Sequence, residues 1–311
     1  MKHTLKVTAL ILVMFFITQL IGIAVINAYS PSIEQVVDEE TGEIKNVTVY
    51  NLPYGTEPPQ NVEPKLTLIS FIFALIFAVI ILLLLMKYKS ELILRLWFFF
   101  VVSLALGITL NAAIFKIPSL YYYSSIIALV LAIPLAFLKI FKRHILIHNL
   151  TELLIYPGIA AIFVPLLNVW TVVLLLILIS LYDMYAVWHA GFMQKMAKYQ
   201  ISTLKVFSGF FVPYLGKKQR DKLKKVKSKK ALAKKIKVNV AILGGGDIVF
   251  PIILSGVVLR QIGLLGAIII SIGATLSLAG LFYISKKGKF YPAMPFISTG
   301  CLIALGIAYI I

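Results

Sequence analysis

The sequence holds a single cysteine, Cys301, so no disulfide can close within the chain and cysteine usage says nothing of its redox compartment. Charge is scarce: 14% of the 311 residues are Asp, Glu, Lys or Arg, against roughly a quarter in soluble domains. Acids are scarcer still, 12 against 30 bases, and there are 4 histidines. The His-Glu-x-x-His pattern of zinc peptidases is absent. No histidine follows His189, so a serine such as Ser255 in the apolar C-terminal third has no histidine base near it in sequence. What fills the space is apolar: 60% of residues are hydrophobic and the mean hydropathy is +0.97. A single soluble globular domain is excluded, and the chain reads as an integral membrane protein.

Each span uses about 20 apolar residues. Apolar runs fall at Leu5–Ala28, Leu66–Met86, Ile93–Ile114, Leu120–Ile140, Leu153–Leu167, Val169–Trp188, Val238–Val258, Ile262–Ile284 and Pro292–Ile311, which predicts nine transmembrane helices. The first run follows Lys2 and Lys6. It is longer than the apolar region of a signal peptide, so an uncleaved helix is expected instead of cleavage near Ala28. The expected architecture is an all-α polytopic bundle over residues 1–311, one domain with two long loops at 30–64 and 190–237.

The charge of +18 would suggest nucleic acid in a soluble protein, but its distribution marks topology. With a cytosolic N-terminus, 26 of the 30 basic residues fall inside, leaving only Lys45, Lys65, Lys116 and Arg260 outside. The positive-inside rule then puts the C-terminus outside. The 30–64 loop becomes external; it holds seven of the twelve acids and a glycosylation sequon at Asn46-Val47-Thr48. Its Pro and Gly content predicts a hairpin or an irregular cap. The 190–237 loop, between the sixth and seventh helices, becomes cytosolic. Its Lys217–Lys237 run reads as a solvated segment contacting lipid headgroups. Phe207–Leu215 is an apolar island expected at the interface.

Seven acids lie in the external loop; Glu91, Glu152 and Asp221 read as helix-end or loop residues. Asp183 and Asp247 remain, each inside an apolar run. A carboxylate at the bilayer centre costs about 2.5–3.5 kcal/mol even on the lenient insertion scale, so such acids mark a pathway or a reaction. Counted along ideal helices from the cytosolic ends, Asp183 lies about 9 Å deep and Asp247 about 15 Å. Two carboxyls that meet at low dielectric cannot both ionise, and the pair shares a proton. That state suits peptide hydrolysis: one carboxylate draws a proton from water while its protonated partner donates to the carbonyl.

Gly244, Gly245 and Gly246 precede Asp247 and let another chain approach closely. Pro251 lacks the N–H that would bond the Asp247 carbonyl, which frees that carbonyl. Tyr182 and Tyr185 flank Asp183 with hydroxyls. Pro292-Ala293-Met294-Pro295 opens the last run, and two prolines around two residues bar regular helix there; irregular backbone at membrane depth lines a cavity or is covered by protein. Gly263, Gly266, Gly273 and Gly280 in the eighth run suit close helix packing. His144, His148 and Glu152 have helical i, i+4 spacing, but they follow Lys142 and Arg143 at a cytosolic boundary, and no metal site is expected.

Tyr182-Asp183, Gly244-Gly245-Gly246-Asp247 and Pro292-Ala293-Met294-Pro295, in this order, resemble the YD, GxGD and PAL signatures of the presenilin and signal peptide peptidase family, most closely an archaeal presenilin homologue. Met294 stands where PAL has leucine, and Gly245 at the variable position of GxGD. The Asp-Ile-Val-Phe-Pro run at 247–251 is closer to the peptidase branch. The resemblance implies a presenilin-like bundle and an intramembrane aspartyl endopeptidase that cuts transmembrane segments of membrane proteins. Asp183 and Asp247 would be catalytic, and Tyr182, Gly244–Gly246 and Pro292–Pro295 would shape the site and contact substrate. It implies no metal or organic cofactor and a multi-pass location in a prokaryotic cell membrane; no nucleic-acid partner is expected of a basic loop pressed against a membrane. Self-association and accessory subunits stay open. Two rivals use the same acids: a prepilin-peptidase-like aspartyl protease, which lacks the proline motif, and a proton or cation channel or transporter.

Overall fold

The structure is a computed structural model. It describes residues 5–37, 44–58, 91–142, 144–190, 208–214, 239–285 and 291–311, with isolated helical positions between 69 and 84. The expected helix at Leu66–Met86 and the Lys217–Lys237 run thus lie largely or wholly outside the described residues.

Eight helices have defined bounds: α1 (Leu5–Ala28), α2 (Glu91–Ile114), α3 (Ser124–Phe137), α4 (Ile145–Phe163), α5 (Val169–Tyr185), α6 (Gly245–Gln261), α7 (Leu264–Ile284) and α8 (Met294–Ile310). With their flanking turns, six described segments are long and apolar enough to cross a membrane: Leu5–Ala28, Glu91–Ile114, Pro118–Lys142, Ile145–Leu166, Val169–Trp188 and Leu264–Ile284. The helix α8 is apolar but shorter. The protein is therefore a helical, multi-pass membrane protein.

The chain is not purely helical. β1 (Ser32–Val37) and β2 (Ile44–Val49) form an antiparallel hairpin in the 30–64 loop, pairing Ser32 with Val49 and Val37 with Ile44. A second antiparallel pair joins β3 (Gly209–Tyr214) to β4 (Asn239–Gly244), pairing Gly209 with Gly244. The apolar island at 207–215 is thus a strand in its described part.

β4 also corrects the seventh run. Its first residues are extended, and helix begins only at Gly245. A short apolar run bounded by glycines cannot be told from buried helix by periodicity. Here the ladder to β3 pairs its backbone as far as Gly244, and helix starts at the next glycine, two residues before Asp247. The fifth run is corrected the other way, because α4 starts at Ile145 and encloses Glu152.

Central α6 packs against α1, α4, α5, α7 and α8. Ser255 and Ser271 hydroxyls, 3.2 Å apart, tie α6 to α7. Between α7 and α8, a Cβ on Gly273 would lie 2.7 Å from the Gly300 carbonyl oxygen, so the backbones meet as expected of small residues. Gly263 instead makes the turn between α6 and α7 at φ +96°, and nothing lies within 4 Å of a Cβ at Gly280. The start of α5 is set by a capping box: Asn168 Oδ1 accepts from the Thr171 N–H at 2.9 Å, and Thr171 Oγ1 accepts from the Asn168 N–H at 2.9 Å.

Candidate active site

Three helix ends bring the sequence motifs together. Asp183 lies in the last turn of α5, where it is 6% exposed. Asp247 is the third residue of α6, not the deep mid-helix residue expected from the run Val238–Val258. It is partly exposed and close enough to Asp183 for the two charges to interact. Pro292 to Pro295 open α8 against the same point.

Each carboxylate lies at a helix N-terminus, where four N–H groups lack helical partners. Met294 N–H donates to Asp183 Oδ2 at 3.1 Å. Asp183 of α5 thus caps α8. Asp247 turns back on its own helix, three residues past the N-cap Gly244, the position from which an acid reaches towards the N-cap in a capping box. A Cβ on Gly244 would lie 3.2 Å from Asp247 Oδ2, tighter than ordinary contact.

The proline motif differs from its expectation. Residues 291–293 are irregular, but Met294 and Pro295 already lie in the first turn of α8. Proline fits there because the N–H it lacks would have had no helical partner. Ser180 Oγ donates to Ser298 Oγ at 2.9 Å, one turn from Asp183, and holds α5 to α8. The Tyr182 ring, 48% exposed, faces outward from the bundle. A Cβ on Gly246 would have only Phe250 near it, at 3.9 Å, whereas a Cβ on Gly245 would lie 2.8 Å from Tyr156 and 2.9 Å from Ser208.

Sequence reading missed a third interior acid. Glu152 is fully buried in α4, paired with Lys139 and accepting from the Tyr156 hydroxyl. His148 Nε2 stands 3.7 Å from Glu152 Oε1. Among the described residues, no group of three His, Cys, Asp or Glu side chains could hold a metal ion. The His144, His148, Glu152, Tyr156 spacing was the available signal, since it puts all four on one face of a helix.

The model of the signal-peptide peptidase, presenilin aspartyl protease family matches residues 45–311. The chain belongs to this family. Family membership makes it an intramembrane aspartyl protease, and the prepilin-peptidase and channel readings give way. The fold is similar to that of a presenilin-family intramembrane aspartate protease solved in the C222 space group, with a TM-score of 0.56 at 16% identity, over 97% of this chain and 98% of that one. A presenilin-family intramembrane aspartate protease solved in the P2 space group gives 0.55 at 17% identity, over 96% of each chain. No curated protein matches. The family match begins at residue 45, yet α1, which precedes it, packs on α6 and donates from Gln19 Nε2 to the Ile248 carbonyl at 3.1 Å, one residue from Asp247.

Proposed function

We propose that Asp183 and Asp247 are the catalytic pair of this protease and share one proton in the resting enzyme. The observation that supports this reading is their convergence from two helix ends, with Asp183 fixed by the Met294 N–H. The ionised member takes a proton from a water molecule, whose oxygen attacks the scissile carbonyl carbon. The protonated member donates to the carbonyl oxygen, giving a neutral gem-diol. Collapse of the diol breaks the C–N bond as one carboxyl protonates the leaving nitrogen and the other takes back the hydroxyl proton. The pair regains its starting state with no metal or organic cofactor.

Substrates on this reading are single transmembrane helices, unwound locally so that one peptide bond reaches the pair; the unwound segment pairs as a strand near the third motif. Tyr182, Gly244–Gly246 and Pro292–Pro295 shape that opening. The bundle has nine spans, with the N-terminus in the cytosol of a prokaryotic cell and the C-terminus outside.

The test is cleavage of a single-span substrate in liposomes, with products identified by mass spectrometry. Asp183→Asn and Asp247→Asn should each abolish peptides cut inside the span. The double variant should be no worse than either, because the two act as a unit. Cleavage should show a bell-shaped pH dependence, since neither the doubly protonated nor the doubly ionised pair can act. Substantial cleavage by either single variant would remove these acids from the mechanism.

A further inference from the structure

Beside the dyad lies a buried ionic cluster that the reaction as described does not use. Lys139 follows α3, and Glu152 sits in α4; they are 7% and 0% exposed. Glu152 Oε1 takes the Lys139 ammonium, and Glu152 Oε2 accepts from the Tyr156 hydroxyl one turn on. A buried ion pair is dearly kept in a membrane protein, where apolar side chains of similar volume would pack as well. Its place in the fold indicates its use.

α4 around the cluster meets both the Gly-rich motif and the strand pair that leads into it. His148 Nε2 lies 2.9 Å from the Gly209 carbonyl oxygen, and Asn149 pairs both ways with Phe211, at 3.0 Å in each direction. These contacts seat β3, and through the ladder β4, on α4. The Tyr156 ring stands edge-on to Phe210, and its hydroxyl is 3.4 Å from Ser208 Oγ. A Cβ on Gly245 would lie 2.8 Å from both Cε1 and the hydroxyl oxygen of Tyr156. The variable position of the motif is glycine here because Tyr156 already fills the space a side chain would take.

We propose that Glu152 and Tyr156 are positioning residues for the peptidase reaction: the Lys139–Glu152 pair holds the Tyr156 hydroxyl against Gly245 and so fixes the first turn of α6, from which Asp247 projects. The inference rests on the reading of Asp247 as catalytic. Displacing a reacting group by about 1 Å costs on the order of 100-fold in rate, while substrate binding away from the dyad is untouched.

The experiment is steady-state cleavage of a single-span substrate by the full-length protein. Tyr156→Phe keeps the ring and removes the hydroxyl. It should lower kcat about 10-fold or more with KM within about twofold, and weaken a hydroxyl-bearing transition-state mimetic in step with kcat. Glu152→Gln alone strands the Lys139 charge, so the Lys139→Met/Glu152→Gln double variant, which removes both charges, is the companion. It should show the same kcat loss with an unchanged unfolding midpoint. Gly245→Ala should lose activity, and adding Tyr156→Ala should restore part of it. Wild-type kcat in Tyr156→Phe and in the charge-free double variant, or full activity in Gly245→Ala, would overturn the proposal. So would a loss in which kcat, KM and the unfolding midpoint all worsen together. Asp247→Asn run in parallel separates the two readings: if it still cleaves, the catalytic assignment fails; if it is dead while Tyr156→Phe and the charge-free double variant are both fully active, only the positioning role fails.

Discussion

The N–H of Met294 donates to Asp183 Oδ2 at 3.1 Å, so the third motif meets the first aspartate through its backbone. Replacing the Ala293–Met294 peptide by an ester, using the α-hydroxy analogue of methionine, deletes this one donor. A hydrogen bond to a charged group contributes about 1.5–3 kcal/mol, and cleavage should fall about 10- to 100-fold. A rate within twofold of wild type would show that Asp183 is oriented by something else.

The two prolines of the motif should separate. Pro295 occupies a first-turn position that suits proline, and Pro295→Ala should keep most of the activity. Pro292 keeps Tyr291 out of helical geometry and so stops α8 extending backwards. Pro292→Ala should therefore turn the N–H groups of residues 293 and 294 into the helix and lower kcat, with the protein still folded. Equal effects of the two substitutions would contradict this division.

Tyr54 pins the loop that follows the β1–β2 hairpin. Its hydroxyl donates to the Ser125 carbonyl at 2.8 Å, and its ring fills the space beside Gly107. Burial pushes its phenol up to about 12 from an ordinary value of 10.0. The folded state thus holds this proton more tightly than the unfolded state. The corresponding stability is complete below about pH 10 and is lost as pH rises towards about 12. Melting curves across that window should fall less steeply for Tyr54→Phe. Some loss should persist, because burial and the neighbouring Tyr54 push the Tyr29 phenol up as well.

Cysteines placed in the 30–64 loop should react with an impermeant reagent from outside intact cells, and cysteines at 217–237 only after permeabilisation, as the split of 26 basic residues against 4 requires. The reverse pattern would invert the orientation.

The aspartates were legible because an acid in an apolar run is conspicuous, and the proline motif because proline pairs are local signals. Register near the site was not. Val238–Gly244 reads equally as strand or helix, and the choice depends on β3, some 30 residues earlier in a basic loop. Glu152 is not legible in the sequence because the apolar run begins at Leu153. Its helix starts earlier, among polar residues such as His148 and Asn149 that turn inward to hold β3 and leave no hydropathy signal.

A 17-residue α6 is about 26 Å long at the helical rise, less than the roughly 30 Å thickness of the hydrocarbon layer. Asp247 sits in its first turn, so fourteen further residues, about 21 Å of helix, separate the acid from the turn at Gly263. On the proposed mechanism, water that arrives from the β4 end of α6 meets Asp247 without passing along that length.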